Sequence, residues 1–241
     1  MSAKGLVPDP GAIRQHAALF LDLDGTLIDT AARPDAVVVP PDLPDILRQA
    51  RLRLCGALAI VSGRRLGEIE ALLGRRCLAM AAEHGAVYRL TPRSRPISVT
   101  THQVPAAWRH AARALAGSPG LLYEAKSNGF VLHYRAMPHQ GPVLLEALER
   151  IVAADPRFAI LTADMAWEVR PAGVHKGMAV VAFMETSPFK GRMPVFVGDD
   201  VTDEDGMRAA RAMGGLGLKV GVAFAGPATV RAWLQAIAND A

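Results

Sequence analysis

The chain has 241 residues, 51% of them apolar and 21% charged, with a formal charge of +4. This is the composition of an ordinary globular chain of one or two domains, long enough to bury a core. The Arg residues are scattered (Arg14, Arg48, Arg64, Arg76, Arg93, Arg150 and Arg192 among them), with no dense basic run and no interleaved aromatics, which argues against nucleic-acid binding. No run approaches membrane-spanning length and the first residues lack a basic start followed by an apolar core, so a cytoplasmic protein with no membrane partner is expected. Aromatics make up only 5% while Ala, Leu and Val abound, which favours helix-flanked sheets over a β-sandwich. Cys55 and Cys77 each stand alone in apolar surroundings, without metal spacing, and are expected to be small core residues.

Residues 1–16 are polar and Pro/Gly-bearing, and read as a loose lead-in. Ala17–Leu21 is an apolar run too brief for a helix, and predicts a buried strand. It delivers Asp22 and Asp24, two residues apart and therefore pointing the same way, and Gly25 then turns the backbone. Two carboxylates at the carboxyl end of a buried strand call for a cation or a partner, unless they merely cap the turn that follows. Thr30–Pro41 carries three prolines and reads as a loop, after which Asp42 can cap a helix to about Leu54. Gly56–Val61 is a second strand ending in Ser62-Gly63-Arg64, followed by a helix over Leu66–Leu73 that Gly74 stops. A third strand, Leu78–Ala82, runs into Glu83-His84-Gly85. Alternating strands and helices imply right-handed crossovers and a parallel sheet.

After Leu90 the rhythm changes. Thr91–Pro96 is a polar, Pro-rich crossing, and beyond it the pattern predicts a helix (105–116), a hairpin (121–125 and 130–135), a helix (142–153) and two strands (158–161 and 166–170). Pro171-Ala172-Gly173 marks the return to alternation: helix 176–184, strand 194–197, helix 203–213, strand 218–223 and helix 229–237. The expected fold is α/β, a doubly wound parallel-sheet, Rossmann-like core over 1–91 and 173–241 with an inserted α+β cap over 92–172.

Chemistry concentrates at strand ends. The Ser62 hydroxyl and neighbouring N–H groups can bind a phosphate oxygen, although Ser62 reads equally as a helix cap. Lys176 opens a helix, where its ammonium opposes the helix dipole. That misplacement favours a phosphate partner over a solvated lysine. Gly198-Asp199-Asp200-Val201-Thr202-Asp203-Glu204 gathers acids that repel one another at a strand-to-helix junction, with partial capping by Asp203 and Glu204 as the alternative. The run fails the EF-hand pattern, Gly215-Leu216-Gly217 lacks a dinucleotide fingerprint's third glycine, and no Walker A loop, H-E-x-x-H or G-x-S-x-G occurs. His84 and His133 read as satisfied structural histidines.

The octet Phe20-Leu21-Asp22-Leu23-Asp24-Gly25-Thr26-Leu27 resembles motif I of the haloacid dehalogenase superfamily, Asp-x-Asp-x-[Thr/Val]. Asp22/Asp24, Ser62, Lys176 and Asp199/Asp203 match that superfamily's four motifs in order. More finely, the chain is similar to trehalose-6-phosphate phosphatases. The residues that carry this are Ile60–Arg64, Glu83–Gly85, Leu132-His133-Tyr134-Arg135, Glu168–Pro171 with His175-Lys176-Gly177, and Val197–Glu204, from about Ala17 to Val222. The family usually has a longer segment before its last helix than Ala223–Ala228 supplies here.

The resemblance implies a Mg2+-dependent phosphatase that hydrolyses trehalose 6-phosphate through an aspartyl-phosphate, the last step of trehalose biosynthesis. It makes Asp22 the nucleophile and Asp24 the general acid/base. Asp22, the Asp24 carbonyl and Asp199 become the metal ligands, and Ser62, Gly63, Arg64 and Lys176 the phosphate partners. The insertion becomes a C2-type cap, with Glu124, Lys126 and Glu168 gripping the sugar, although a hairpin commonly carries exposed Glu and Lys. The expected partners are a sugar phosphate and, functionally, a trehalose-6-phosphate synthase, with the chain itself a monomer. The same chemistry on another sugar phosphate such as sucrose phosphate, or an inactive module that senses sugar phosphate or binds a partner, are the alternatives.

Overall fold

The computed structural model describes residues 7–14, 16–31, 36–74, 78–100 and 102–239. The chain divides into two compact units, one from the N-terminus to Ile97 and from His175 onward, the other Ser98–Val174. Elements follow in order as α1 (Pro10–Ile13), β1 (Ala17–Leu21), α2 (Leu43–Arg53), β2 (Leu58–Val61), α3 (Leu66–Leu73), β3 (Ala79–Ala82), β4 (Val87–Arg89) and β5 (Ile97–Ser98). The second unit then contributes α4 (Ala106–Leu115), β6 (Leu122–Ala125), β7 (Phe130–His133), α5 (Gly141–Val152), β8 (Phe158–Ala163) and β9 (Ala166–Pro171). The chain closes with α6 (Lys176–Met184), β10 (Met193–Gly198), α7 (Glu204–Ala212), β11 (Leu216–Lys219) and α8 (Pro227–Ala238).

Every residue of β1 is buried, the mark of a strand covered on both faces. Ala17, Leu19 and Leu21 pack toward α2, α3 and α8, whose Leu43, Leu47, Ile69, Val230 and Leu234 share their cluster. Ala18 and Phe20 face the opposite way, toward Val180 and Phe183 of α6 and Met207 and Ala210 of α7. Phe189 stacks on Phe20 at 5.5 Å and meets Phe183 at 5.0 Å, which fixes α6 against the sheet. The strands run β11-β10-β1-β2-β3-β4-β5, parallel from β11 through β3, with β4 antiparallel to β3. From β1 the chain proceeds outward to β2 and β3, and later returns on the other flank as β10 and β11. The order therefore reverses between β1 and β10, the position where open α/β sheets bind ligands.

In the second unit, β6-β7-β9-β8 form an antiparallel sheet. Phe130, Leu132 and Val169 turn one face to a core shared with Ala112 of α4 and Leu144 and Leu148 of α5. By the strand's period of two, Glu124, Val131, His133 and Glu168 lie on the other face.

The architecture is the expected α/β core with an inserted α+β unit, and several local expectations need correction. The lead-in contains α1, capped by Asp9, whose side chain accepts from Gly11 N and Ala12 N. Asp42 stands at the N-cap of α2 without a side-chain hydrogen bond. The last strand is β11 at 216–219 rather than 218–223, because Gly221, at φ +89°, turns the apolar run Val220–Ala223 away from the sheet. That turn is closed by Gly221 N donating to Phe224 O at 2.7 Å. Cys55 is exposed rather than buried, standing in the turn after α2 at φ +50°. Cys77, Arg76 and residues 32–35 of the expected loop lie outside the described residues. Among the described residues no helix is long and apolar enough to cross a membrane.

Candidate active site

The carboxyl ends of β1 and β10 meet at the reversal point. Asp22 N donates to Val197 O at 3.0 Å, which continues the ladder one residue past β1 and seats Asp22 above it. Gly25 follows at φ +75°, and a Cβ there would collide with the Asp199 carboxylate. Glycine thus lets the two acid-bearing loops approach each other.

Lys176 is the hub. As the first residue of α6 it is 3% exposed, and its Nζ donates to Asp22 Oδ1 at 2.6 Å and to Asp203 Oδ1 at 2.7 Å. Asp22 and Asp203 are 4% and 0% exposed. Asp203 turns its second oxygen to the N–H groups of Asp199 (3.1 Å) and Asp200 (3.0 Å), so it caps this turn and anchors Lys176 at once. Thr26 Oγ1 lies 3.1 Å from Asp199 Oδ1 and 3.4 Å from Asp22 Oδ2, tying the β1 loop to the β10 loop. Burial lowers the affinity of Lys176 for its proton, yet Asp22 and Asp203 outweigh it and hold the ammonium well above its usual range. Asp22 is pushed well above the carboxylate range by burial and then by the Asp203 charge, against the pull of Lys176. Asp199 is raised too, by burial and Asp203.

These shifts describe a cluster with too much negative charge. Oxygens of Asp22, Asp199 and Asp203 lie within 4.8 Å of one another, and Lys176 neutralises only part of them. An all-oxygen carboxylate set with unbalanced charge suits a hard divalent cation such as Mg2+. Both Asp203 oxygens are already committed to Lys176 and to backbone donors, which leaves Asp22 and Asp199 as the carboxylates free to face a cation.

The structure places Asp24 differently from its neighbour. Its carboxylate forms a two-pronged pair with Arg64, Nε to Oδ2 and Nη2 to Oδ1, each at 2.6 Å. Asp24 stands outside the acidic cluster, so a metal contact from this residue is left to its backbone carbonyl. Arg64, expected at the phosphate, is engaged with the acid meant to manage the proton. Ser62 is buried at the end of β2, its N–H donating to Ala81 O at 2.9 Å and its Oγ accepting from Arg64 N at 3.2 Å.

The turn Glu83-His84-Gly85 shapes this loop. All three residues are left-handed, at φ +49°, +57° and +102°. For the two non-glycines that costs roughly 1–2 kcal/mol each. The turn returns two backbone bonds, Glu83 N to Arg64 O at 2.9 Å and His84 N to Ser62 O at 3.0 Å. The His84 ring lies so close to Gly63 that a Cβ there would sit 2.6 Å from it. This bracing was missed in the sequence, although Glu83–Gly85 is among the segments that carry the family resemblance.

In the second unit, Glu124 and Glu168 both pair with Val131, from opposite sides of β7, and so share a row on the face opposite the one packed against α4 and α5. Lys126, the residue just past the end of β6 and two residues from Glu124, forms an ion pair with it. His133 Nε2 lies 2.8 Å from the other Glu124 oxygen. Burial raises the Glu124 carboxyl, but His133 and Lys126 together bring it down to about 2. Lys126 and Glu168 are 9% and 5% exposed, buried beyond what solvated hairpin charges would be.

The trehalose-phosphatase family model matches residues 20–226. Trehalose-6-phosphate phosphatase of Escherichia coli K12 is 36% identical over 238 residues, which covers 91% of this chain and 86% of the relative. The solved C-terminal domain of trehalose-6-phosphate phosphatase from C. albicans superposes with a TM-score of 0.82 at 20% identity, over 99% of this chain and 97% of that one. A solved trehalose-6-phosphate phosphatase related protein gives 0.74 at 23% identity, over 91% and 96%. The two structures share the fold. The family match spans both units, from the end of β1 to the residue before α8, and with the E. coli relative it shows that the chain belongs to the trehalose-phosphatase family.

Proposed function

We propose that this chain hydrolyses trehalose 6-phosphate to trehalose and phosphate, with Asp22 as the nucleophile. The observation that carries the reading is the buried Lys176 ammonium held between Asp22 and Asp203 at the sheet's reversal point. A fully buried cation fixed on one carboxylate oxygen orients the other oxygen for in-line attack and gives the equatorial phosphoryl oxygens a positive partner. Asp22 attacks phosphorus, the sugar oxygen leaves, and an aspartyl-phosphate forms and is then hydrolysed by water. Asp24 protonates the leaving oxygen and later takes the water's proton, which requires its carboxylate to exchange Arg64 for the reacting oxygens. Ser62 and the backbone N–H groups of its loop hold the phosphate from the other side.

Asp22, Asp199 and the Asp24 carbonyl are the proposed Mg2+ ligands. The ion, when bound, supplies positive charge to the transferring phosphoryl group. Asp199→Ala is expected to raise the Mg2+ requirement steeply or to abolish activity. Calorimetry showing unchanged Mg2+ affinity in that variant would move the ligand role to another acid.

Glu124, Lys126 and Glu168 are the proposed partners of the sugar hydroxyls. Phosphate release over a panel of sugar phosphates, with and without Mg2+, tests the whole assignment: trehalose 6-phosphate is expected to be the preferred substrate. Preference for sucrose phosphate or another member would reassign the substrate, and no release from any would reassign the class. Truncation of Glu124, Lys126 or Glu168 to Ala is expected to lower kcat/KM for trehalose 6-phosphate about ten-fold or more, the cost of one charged hydrogen bond. Hydrolysis of a small aryl phosphate, which presents no sugar, is expected to change little. Equal losses on both substrates would show that these side chains support folding instead.

A further inference from the structure

We propose that His133 is a positioning residue, holding the Glu124 carboxylate in the one orientation that accepts a sugar hydroxyl. The inference rests on the reading of Glu124 as a sugar partner.

The geometry begins with strand register. His133 pairs with Leu122 on β6 and with Ala166 on β9, neither of which has a side chain that can hydrogen-bond. Its ring therefore leans along the face to the neighbouring row, where Glu124 lies diagonal to it, a distance that long cross-strand side chains reach. There Nε2 meets Glu124 Oε2 at 2.8 Å, while Lys126 takes Oε1. An ionised carboxylate only accepts, so Nε2 carries the proton and donates it.

A glutamate side chain held at only one oxygen can still pivot among orientations, and freezing them on binding costs affinity. Lys126 alone leaves the carboxylate free to pivot about one ammonium. A second donor on the other oxygen removes that freedom, and each oxygen retains a lone pair for a sugar hydroxyl. His133 is about a quarter exposed at its side chain, at 23%, beside a Glu124 at 21%, so the pair reaches the surface where a ligand would meet it.

The test compares His133→Phe, which keeps a ring and loses the donor, with His133→Gln, whose amide N–H can reach Glu124. His133→Asn, polar but too short to reach, repeats the loss without adding an apolar ring. Melting temperature is recorded for each variant, and Glu124→Ala runs alongside. The ratio of kcat/KM for trehalose 6-phosphate to that for p-nitrophenyl phosphate is expected to fall about five- to ten-fold in the Phe and Asn variants. That loss is expected in KM rather than kcat, and the Gln variant is expected to return within about two-fold of wild type. Wild-type ratios in the Phe and Asn variants, equal loss on both substrates, or no recovery with Gln would each overturn the role. If Glu124→Ala loses trehalose 6-phosphate activity and the His133 variants do not, only the positioning role falls. If Glu124→Ala loses nothing, the sugar-site reading falls and takes this inference with it.

Discussion

Asp22→Asn is expected to eliminate phosphate release, by at least about four orders of magnitude, while leaving the fold intact. An amide cannot attack phosphorus to form the acyl phosphate, so no alternative route through this position exists. The fold survives because the asparagine oxygen can still accept from Lys176 Nζ, which keeps Asp203 as its second partner. The substitution also removes one of three crowded carboxylates, relieving the repulsion that pushes Asp22 and Asp199 upward. The melting temperature should therefore hold or rise. Appreciable turnover by folded Asp22→Asn protein would rule out the covalent route.

Lys176→Met is expected to cost both activity and stability. Methionine nearly matches the length of the lysine side chain but leaves the buried carboxylates of Asp22 and Asp203 without their shared cation. Stripping one partner from a buried ion pair costs roughly 3–5 kcal/mol, far beyond a surface salt bridge at roughly 0–1 kcal/mol. Here one ammonium serves two carboxylates, each at most 4% exposed, which places the case at the severe end. Phosphate release should vanish, and the urea midpoint should drop with the slope unchanged. A variant as stable as wild type would mean that Asp22 and Asp203 are stabilised by something other than this ammonium.

The residues that point to chemistry from sequence do so because they contradict their local surroundings. Asp22 and Asp24 end a strand whose residues are all apolar, and Lys176 opens a helix where a cation is unfavourable. Each anomaly marks a group held by something distant, and the partner is what one-dimensional reading does not supply. The Arg64–Asp24 pair joins residues 40 apart in sequence and Lys176–Asp22 joins residues 154 apart, by way of the sheet order. Asp203 reads as a helix cap, which it is, and nothing local reveals that its other oxygen anchors Lys176. β4 and β5 escape notice because three- and two-residue strands carry too little periodicity, and β5 follows a Pro-rich stretch. The register of β11 is misread because Val220–Ala223 continues the apolar run, and only the left-handed Gly221 ends it.

Rapid acid quench of a single turnover with trehalose 6-phosphate, followed by peptide mass spectrometry, tests Asp22 as the nucleophile most directly. The proposed mechanism predicts a phosphoryl group on the peptide bearing Asp22, formed before free phosphate appears. In Asp24→Asn both the formation of that species from trehalose 6-phosphate and its hydrolysis are expected to slow, because the leaving oxygen loses its acid and the water its base. Phosphate released from trehalose 6-phosphate at the wild-type rate with no phosphoryl group on Asp22 at any quench time would contradict the mechanism.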